Sequence, residues 1–148
     1  GVADGRGLAA ALMLGAQGVL VGTRFLATPE SLSHPNVKQR ILSAQGDDTV
    51  RTTIFDTIRG YVWPSEYTGR AIRNAFTQRW HGKESELSQA LDREKPRYAT
   101  AAADGNTETM VMFAGENVDL INDVVPAGEI VERMAVEAEA LLRKPSGL

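Results

Sequence analysis

The sequence predicts an α/β protein of ordinary globular composition. A helical pattern over 5–14 is followed, after a short loop, by a buried-strand pattern over 18–22. A β-branched run over 49–55 predicts a second strand, and four later segments have helical periodicity. Apolar residues make up 43% of the 148 residues and charged residues 24%, which is usual for a globular domain with a real core.

The first helix is predicted by its ends and by its apolar face. Asp4 is a good N-cap and Gly15 is a good C-terminal stop. The apolar face consists of Leu8, Ala11 and Leu12. The run 18–22 lies between glycines and is typical of a strand buried on both faces of a parallel sheet. Together the two elements look like the second half of a βαβ unit.

The regular β–α rhythm is lost after about Thr28, so we expect a boundary between two structural units there. The later predicted segments are a helix start at Thr28–Glu30, a helix from Pro35 to about Ala44, a turn at 46–48, a strand over 49–55, helices from about Glu66 to Trp80 and from Ser85 to Leu91, a mobile loop over 99–109, and a helix from about Pro126 to Arg143.

Charge and composition exclude several function classes. The net charge is −3 without a Lys/Arg cluster, which argues against nucleic acid or an anionic membrane as the main partner. No apolar run approaches the roughly 20 residues of a membrane span. The lack of cysteine excludes disulfides and thiolate chemistry and fits a reducing compartment, so a cytoplasmic location is expected. The acidic residues show no metal-ligand spacing with a histidine, so no metal is predicted.

Two glycine corners are the most informative candidates for a binding site. Gly1 precedes a helix, and Gly22-Thr23 follows the predicted buried strand. Glycine lets a ligand approach the backbone closely, and amides at a helix start favour an anion. In a (β/α)₈ barrel, phosphate commonly binds at the loops after the seventh and eighth strands. If the two corners follow those strands, both face one phosphate; the alternative is two tight turns without a ligand.

A family resemblance supports the phosphate interpretation. Three blocks over 1–12, 14–16 and 21–28, which read GVADGRGLAAAL, LGA and VGTRFLAT, resemble the C-terminal part of the nitronate monooxygenase (2-nitropropane dioxygenase) family. Shorter similarities follow in the same order, at Glu30-Ser31, His34-Pro35, Asp48-Thr49-Val50, Trp63-Pro64, Gly69-Arg70, Arg73-Asn74, Trp80, Ala114-Gly115 and Pro126-Ala127.

The resemblance implies a flavoenzyme that oxidises alkyl nitronates with O₂ to carbonyl compounds and nitrite. It implies that 1–28 is the end of an FMN-binding (β/α)₈ TIM barrel, from the end of strand 7 to strand 8. The smaller α/β domain over 29–125 then borders the substrate cleft, and the helix over 126–148 packs back on the barrel. The implied FMN-binding residues are Gly1, Leu20, Val21, Gly22 and Thr23.

The family's catalytic histidine and its other FMN contacts come from earlier barrel strands, which this sequence lacks. His34 and His81 match no catalytic position, and both are interpreted as polar surface or capping residues. No catalytic residue is therefore assigned in this chain. Because Gly1 begins in the middle of a motif, we expect the sequence to be a C-terminal piece of a longer protein, whose N-terminal remainder would be its partner. Self-association is a further expectation.

Several other residues have two interpretations. Arg24 either contacts the phosphate or pairs at the barrel mouth. A second set either lines the cleft between the domains or stays on the surface: Trp63, Tyr67, Arg70, Arg73 and Asn74. The alternating segment Met110–Phe113 either covers the flavin or forms a core strand.

Two other functions remain open. One is an FMN-dependent enoyl-thioester reductase of similar barrel fold, which would use NAD(P)H. The other is a non-catalytic remnant or interaction domain, because the open sheet edges of an incomplete barrel favour pairing with another chain.

Overall fold

The computed structural model describes residues 1–64 and 66–143. These residues form an α/β fold with eight α-helices, two strands and two 3₁₀ segments. The α-helices are α1 (Gly5–Met13), α2 (Thr23–Leu26), α3 (Pro35–Ser43), α4 (Ile54–Arg59), α5 (Ala75–Trp80), α6 (Glu84–Gln89), α7 (Leu91–Ala103) and α8 (Ala127–Leu142), the strands are β1 (Thr49–Thr52) and β2 (Gly69–Ile72), and the 3₁₀ segments are Gly46–Asp48 and Glu116–Leu120.

The first and last helices pack against each other. α1 begins and ends as predicted, with the Asp4 side chain accepting from the Gly7 N–H at 3.0 Å and with Gly15 in the left-handed region at φ 92°. The buried face of α1 is Gly5 and Ala9, whereas the predicted face of Leu8, Ala11 and Leu12 is only half-buried. That prediction was wrong because small residues let α8 approach α1 closely: a Cβ on Gly5 would lie 2.5 Å from the Glu137 Cβ.

The predicted buried strand over 18–22 is not a hydrogen-bonded strand here. Among the described residues none pairs with this segment in a ladder, and Leu20 is 99% exposed. The physical reason is that a strand buried on both faces needs neighbouring strands for its amides and carbonyls, and the described residues supply none.

The small sheet is an antiparallel pair with an added edge. β1 pairs with β2 in the register Thr49↔Ile72 to Thr52↔Gly69. The segment around Phe113 extends the sheet, since the Ile72 N–H donates to the Met112 carbonyl at 2.9 Å and the Ala114 N–H to the Arg70 carbonyl at 3.1 Å. Met110–Phe113 therefore borders the core, and Met112 is 1% exposed.

Two predicted elements are each divided in the structure. The strand over 49–55 ends at Thr52, and α4 follows. The helix expected from Glu66 to Trp80 is instead β2 followed by α5, because Asn74 caps a new helix by accepting from the Thr77 N–H at 3.0 Å. Apolar residues spaced like a helical stripe are buried, but they come from a strand and a helix: Ile72, Phe76 and Trp80.

The remaining predictions have mixed outcomes. The helices starting near Pro35 and Pro126 are confirmed as α3 and α8, and Ser85–Leu91 corresponds largely to α6. The helix start at Thr28–Glu30 is wrong, since the segment is a turn after α2. The loop over 99–109 is wrong in its first half, because α7 continues to Ala103.

Two buried clusters form the core. One joins α3, β2 and the segment 112–121 through aliphatic side chains, including Ile41, Ile72 and Val118. The other joins α4 to α7 around three aromatic rings, with Phe55 stacked on Phe76 at a centroid distance of 5.5 Å and Tyr98 tilted against both. The first cluster includes Ala27, which lies directly after α2, and so it fixes the position of the Gly22-Thr23 turn at the start of that helix.

Candidate functional site

The Gly22-Thr23 corner is linked by a hydrogen bond to a distant segment of the chain. The Gly115 N–H donates to Thr23 Oγ1 at 2.9 Å. Because this hydroxyl accepts from Gly115, its own hydrogen is left to donate to a further group. Thr23 is half-buried and begins α2, so its position is fixed by the backbone.

The Gly1 corner lies close to the same segment. A Cβ on Gly1 would lie 2.7 Å from Asn117 Oδ1, and a Cβ on Gly115 would lie at the same distance from that atom. The same Cβ position on Gly115 lies 3.7 Å from Thr23 Oγ1. One side chain, Asn117, thus lies against both glycines, and the two predicted corners are brought together around the segment 115–117.

Gly22 faces open space. A Cβ built on it meets nothing within 4 Å, so no described residue requires a glycine there for packing. Gly1 and Leu20 are exposed and Val21 is half-buried. The four residues that precede Thr23 in the predicted set are therefore accessible. We call Gly1, Leu20, Val21, Gly22 and Thr23, with Gly115 and Asn117, the glycine corner.

The start of α1 does not offer free amides in the way the sequence suggested. The Gly7 N–H donates to Asp4, and the Gly5 N–H donates to Glu137 Oε2 at 2.7 Å. Two carboxylates already occupy this helix start, and an additional anion there would be repelled. An anion at the glycine corner would thus have to use groups other than these first-turn amides.

The Asp4 carboxylate is held in its charged form. Burial raises its pKa, but the hydrogen bond from the Gly7 N–H and the adjacent Arg6 lower it more, so the pKa of Asp4 is below its ordinary value.

Arg24 is an anchor within the protein. Its side chain is 6% exposed, and its guanidinium donates to the Asp123 carbonyl at 3.0 Å and pairs with the Asp123 carboxylate. Arg133 of α8 pairs with the same carboxylate at 2.6 Å. Pairing is thus the interpretation of Arg24 that the structure favours, and the pair ties the residue after Thr23 to the start of α8.

Three of the other candidate side chains, those of His34, Asn74 and Arg70, have structural partners. His34 caps α3 through the Asn36 N–H, and His81 ends α5 with its backbone. Asn74 is buried and donates to the Thr107 and Met110 carbonyls at 2.8 and 3.0 Å. Arg70, on β2 and not on a helix, pairs with Glu116 at 3.0 Å. Arg73 is exposed next to it.

Three residues near the corner were not assigned from the sequence. Asn117 and Asp123 follow a loop without a motif of their own, and Glu137 is one of several carboxylates on α8. Gly115 differs from these three, because the sequence singles it out in the Ala114-Gly115 similarity. The others become visible only through contacts between positions about 100 residues apart.

Residues 1–64 and 66–143 contain neither a membrane-spanning helix nor a metal-binding cluster of side chains. None of their helices is long and apolar enough to cross a membrane. No group of three or more His, Asp or Glu side chains in these ranges is arranged to hold a metal ion.

Comparison with known proteins gives consistent matches. Residues 1–137 match the family model described as nitronate monooxygenase. A nitronate monooxygenase from Neurospora crassa is 34% identical over 97% of this chain and 38% of its own length. The (3aS,4S,5R,7aS)-5-hydroxy-7a-methyl-1-oxo-octahydro-1H-indene-4-carboxyl-CoA dehydrogenase of Mycobacterium tuberculosis is 35% identical over 100% of this chain and 50% of its own length.

The structure of nitroalkane oxidase from Streptomyces ansochromogenes is similar to 96% of this chain, with a TM-score of 0.76 and 26% identity, over 38% of that protein. The chain therefore spans between 38% and 50% of the length of these three proteins.

Proposed function

The chain belongs to the nitronate monooxygenase family, and we propose that it supplies the FMN-phosphate corner of a flavoenzyme that oxidises alkyl nitronates with O₂ to a carbonyl compound and nitrite. In this proposal 1–28 is the end of a (β/α)₈ barrel and 18–22 is its eighth strand. Neighbouring strands would come from barrel sequence outside this chain. Among the described residues the segment 18–22 pairs with no strand, and this and the exposed Leu20 support the proposal.

The observation that carries the proposal is the convergence at the glycine corner. The Gly115–Thr23 hydrogen bond and the position of Asn117 between Gly1 and Gly115 bring polar groups from three chain segments together. A phosphate dianion needs several donors and close backbone approach, and it does not require a Lys or Arg. The residues present fit the flavin's phosphate end.

Each residue has a definable part in holding that phosphate. The Thr23 hydroxyl would hold a phosphate oxygen through its hydrogen, since its oxygen accepts from the Gly115 N–H and leaves that hydrogen available. Gly22 leaves room for the ligand at its Cβ position. Arg24 fixes the following backbone through Asp123 and stays inside the protein.

The chemistry divides between cofactor and protein. When bound, the flavin supplies the electron transfer, and the protein supplies position and charge. The His34 side chain caps α3, and His81 lies exposed at the end of α5, so we place the proton acceptor that a neutral nitroalkane requires outside this sequence. A nitronate, which is already deprotonated, does not need that step.

A hydroxyl deletion at the corner tests the proposal. Thr23→Val keeps the shape of the side chain and removes the donor, so we expect FMN affinity to fall about tenfold, in line with a hydrogen bond to a charged group. The dissociation constant is measured by quenching of flavin fluorescence on titration with the protein. Thr100→Val, on the exposed face of α7, is the matched control and should leave the affinity unchanged. Equal affinities for Thr23→Val and wild type would remove Thr23 from the site.

A second candidate is an FMN-dependent reductase acting on a thioester. The observation that favours it is the 35% identity to a carboxyl-CoA dehydrogenase over the whole chain. Anaerobic mixing with NADH separates the two candidates. Rapid bleaching of the flavin absorbance favours the reductase, whereas bleaching by propane-2-nitronate, with nitrite formed when O₂ is admitted, favours the monooxygenase.

A further inference from the structure

The exposed aromatic side chains of this protein are concentrated in one place. Tyr61, Trp63 and Tyr67 are between 53% and 63% exposed, and Phe113 is 37% exposed. The other five aromatic residues are buried or half-buried. A group of large rings left in solvent on one face is unusual and marks a binding surface. We call these four residues the aromatic cleft.

The aromatic cleft has the volume of a small-molecule site. Two adjoining depressions of ≈ 340 and ≈ 280 Å³ meet at Asp56, Trp63 and Tyr67. Together they lie within the usual size of ligand pockets. They are separate from the glycine corner, since none of the corner residues lines either depression.

Four charged residues lie in or beside the cleft: Asp56, Lys95, Arg59 and Arg51. Asp56 lines both depressions, and its carboxylate has no ion pair with any residue in 1–64 or 66–143. Lys95 lines only the larger one, where its Nζ lies 3.8 Å from a Cβ built on Gly60. The Arg59 guanidinium lies 4.6 Å from the Tyr61 ring centroid, and Arg51 donates to Thr68, which borders the smaller depression.

These features select one ligand chemistry. Exposed indole and phenol faces bind a planar ring by stacking. A carboxylate between them can only accept hydrogen bonds, so the ring must carry a donor such as an exocyclic amine. Arg51 and Arg59 lie beside the cleft without lining it, whereas Lys95 lines the larger depression and offers a point charge for a phosphate. A purely apolar partner would leave Asp56 and Lys95 without compensation.

We propose that the aromatic cleft binds the adenosine 5′-phosphate portion of a nucleotide ligand. The adenine stacks on Trp63 and Tyr67 and donates from its amine to Asp56, and the phosphate lies towards Lys95. This chemistry is common to pyridine dinucleotides and to coenzyme A. It does not depend on the FMN site of the proposed function.

The direct test is a titration of the 148-residue chain with ADP, followed by tryptophan fluorescence. Trp63 is 63% exposed and Trp80 is 6% exposed, so stacking quenches the first and leaves the second as a constant background. We expect saturable quenching. Tyr67→Ala should weaken binding by at least about fivefold, the lower limit of a base–aromatic stack. Leu32→Ala, at a fully exposed apolar residue outside the cleft, is the matched control.

Two ligand variants test the polar contacts. IDP lacks the exocyclic amine, so wild type should prefer ADP to IDP by about tenfold, and Asp56→Ala should abolish that preference. Lys95→Gln should weaken the binding of ADP and leave the binding of adenosine, which has no phosphate, unchanged. A last titration compares NAD⁺ with coenzyme A. The ligand that binds more tightly identifies the source of the nucleotide.

Three results would overturn the inference. They are no quenching by millimolar ADP, quenching by ADP and IDP that is equal in wild type and Asp56→Ala, and a concentration-dependent dimer that Trp63→Ala abolishes. The last result would make the cleft a contact between two copies. The Thr23→Val variant distinguishes failure of this inference from failure of the proposed function. It should weaken FMN binding and leave ADP binding intact.

Discussion

The helices α4, α5, α6 and α7 bury their large apolar side chains, whereas the N-terminal region 1–28 leaves several exposed. In α4–α7, Ile54, Phe55 and Leu87 are at most 1% exposed, and three aromatic rings fill the centre. In 1–28, Leu14 and Leu20 are 90% and 99% exposed. The region that is less buried is the one with more apolar residues in its sequence, so composition alone does not predict the burial.

The difference shows which region forms a closed apolar core from its own residues. All the buried residues of the second cluster lie between Ile54 and Tyr98, on α4–α7 and β2. Region 1–28 contributes Ala3 and Ala27 to the other core cluster and packs α1 on α8, but it leaves a run of large aliphatic side chains in solvent. That exposed run is the surface that the proposed barrel strands would cover.

The comparison is tested most strongly by removing one large apolar side chain from each region. Phe55→Ala creates a cavity beside Phe76 and Tyr98, so we expect a loss of about 3–5 kcal/mol in the free energy of unfolding. Leu20→Ala removes a side chain that is already in water and should change it by less than about 0.5 kcal/mol. Urea denaturation followed by circular dichroism measures both. Equal losses would show that Leu20 is buried in solution.

How far the sequence predicts the structure follows the same division. α1, α3 and α8 follow from a cap, a proline and a helical period, which are local signals. The helix expected over 66–80 was wrong, because a helical spacing of Ile72, Phe76 and Trp80 also arises when a strand and a helix pack on one core. Periodicity does not separate these cases over so short a segment.

The candidate site was predictable in its glycines but not in its neighbours. Gly1 and Gly22-Thr23 are candidates because of the backbone freedom that an anion site needs, and the structure places Gly1 and Thr23 near the same segment, 115–117. Asn117 and Glu137 were missed because their roles depend on contacts with residues more than 100 positions away. The occupation of the α1 start by Glu137 is likewise a tertiary effect that no local pattern contains.

The close approach of α1 and α8 gives a second test, of intermediate size. A methyl group on Gly5 would lie 2.7 Å from the Met134 carbonyl oxygen and 2.8 Å from the Ala138 nitrogen, which are backbone atoms. Gly5→Ala should therefore destabilise by about 1–3 kcal/mol despite the better helix propensity of alanine. Gly128→Ala in α8 meets no atom within 4 Å and should be neutral or stabilising by up to about 1 kcal/mol. Thermal unfolding compares the two, and a stabilised Gly5→Ala would mean that the helices are further apart.

The smallest expected effect concerns the cap of α1 and its dependence on pH. Asp4→Ala should cost about 1 kcal/mol at pH 7, because the Gly7 N–H loses its acceptor. The pKa of Asp4 is lowered in the folded state, so its charged form stabilises the fold above its unfolded pKa, and that contribution is lost as the pH falls through the lowered value. The difference between wild type and Asp4→Ala should therefore shrink below about pH 4. Asp4→Asn keeps the acceptor oxygen and removes the charge, so it should retain most of the cap and lose this pH dependence. Urea midpoints at pH 7, 5 and 3 measure both variants, and a difference that stays constant across this range would show that the Asp4 carboxylate acts only as a neutral acceptor.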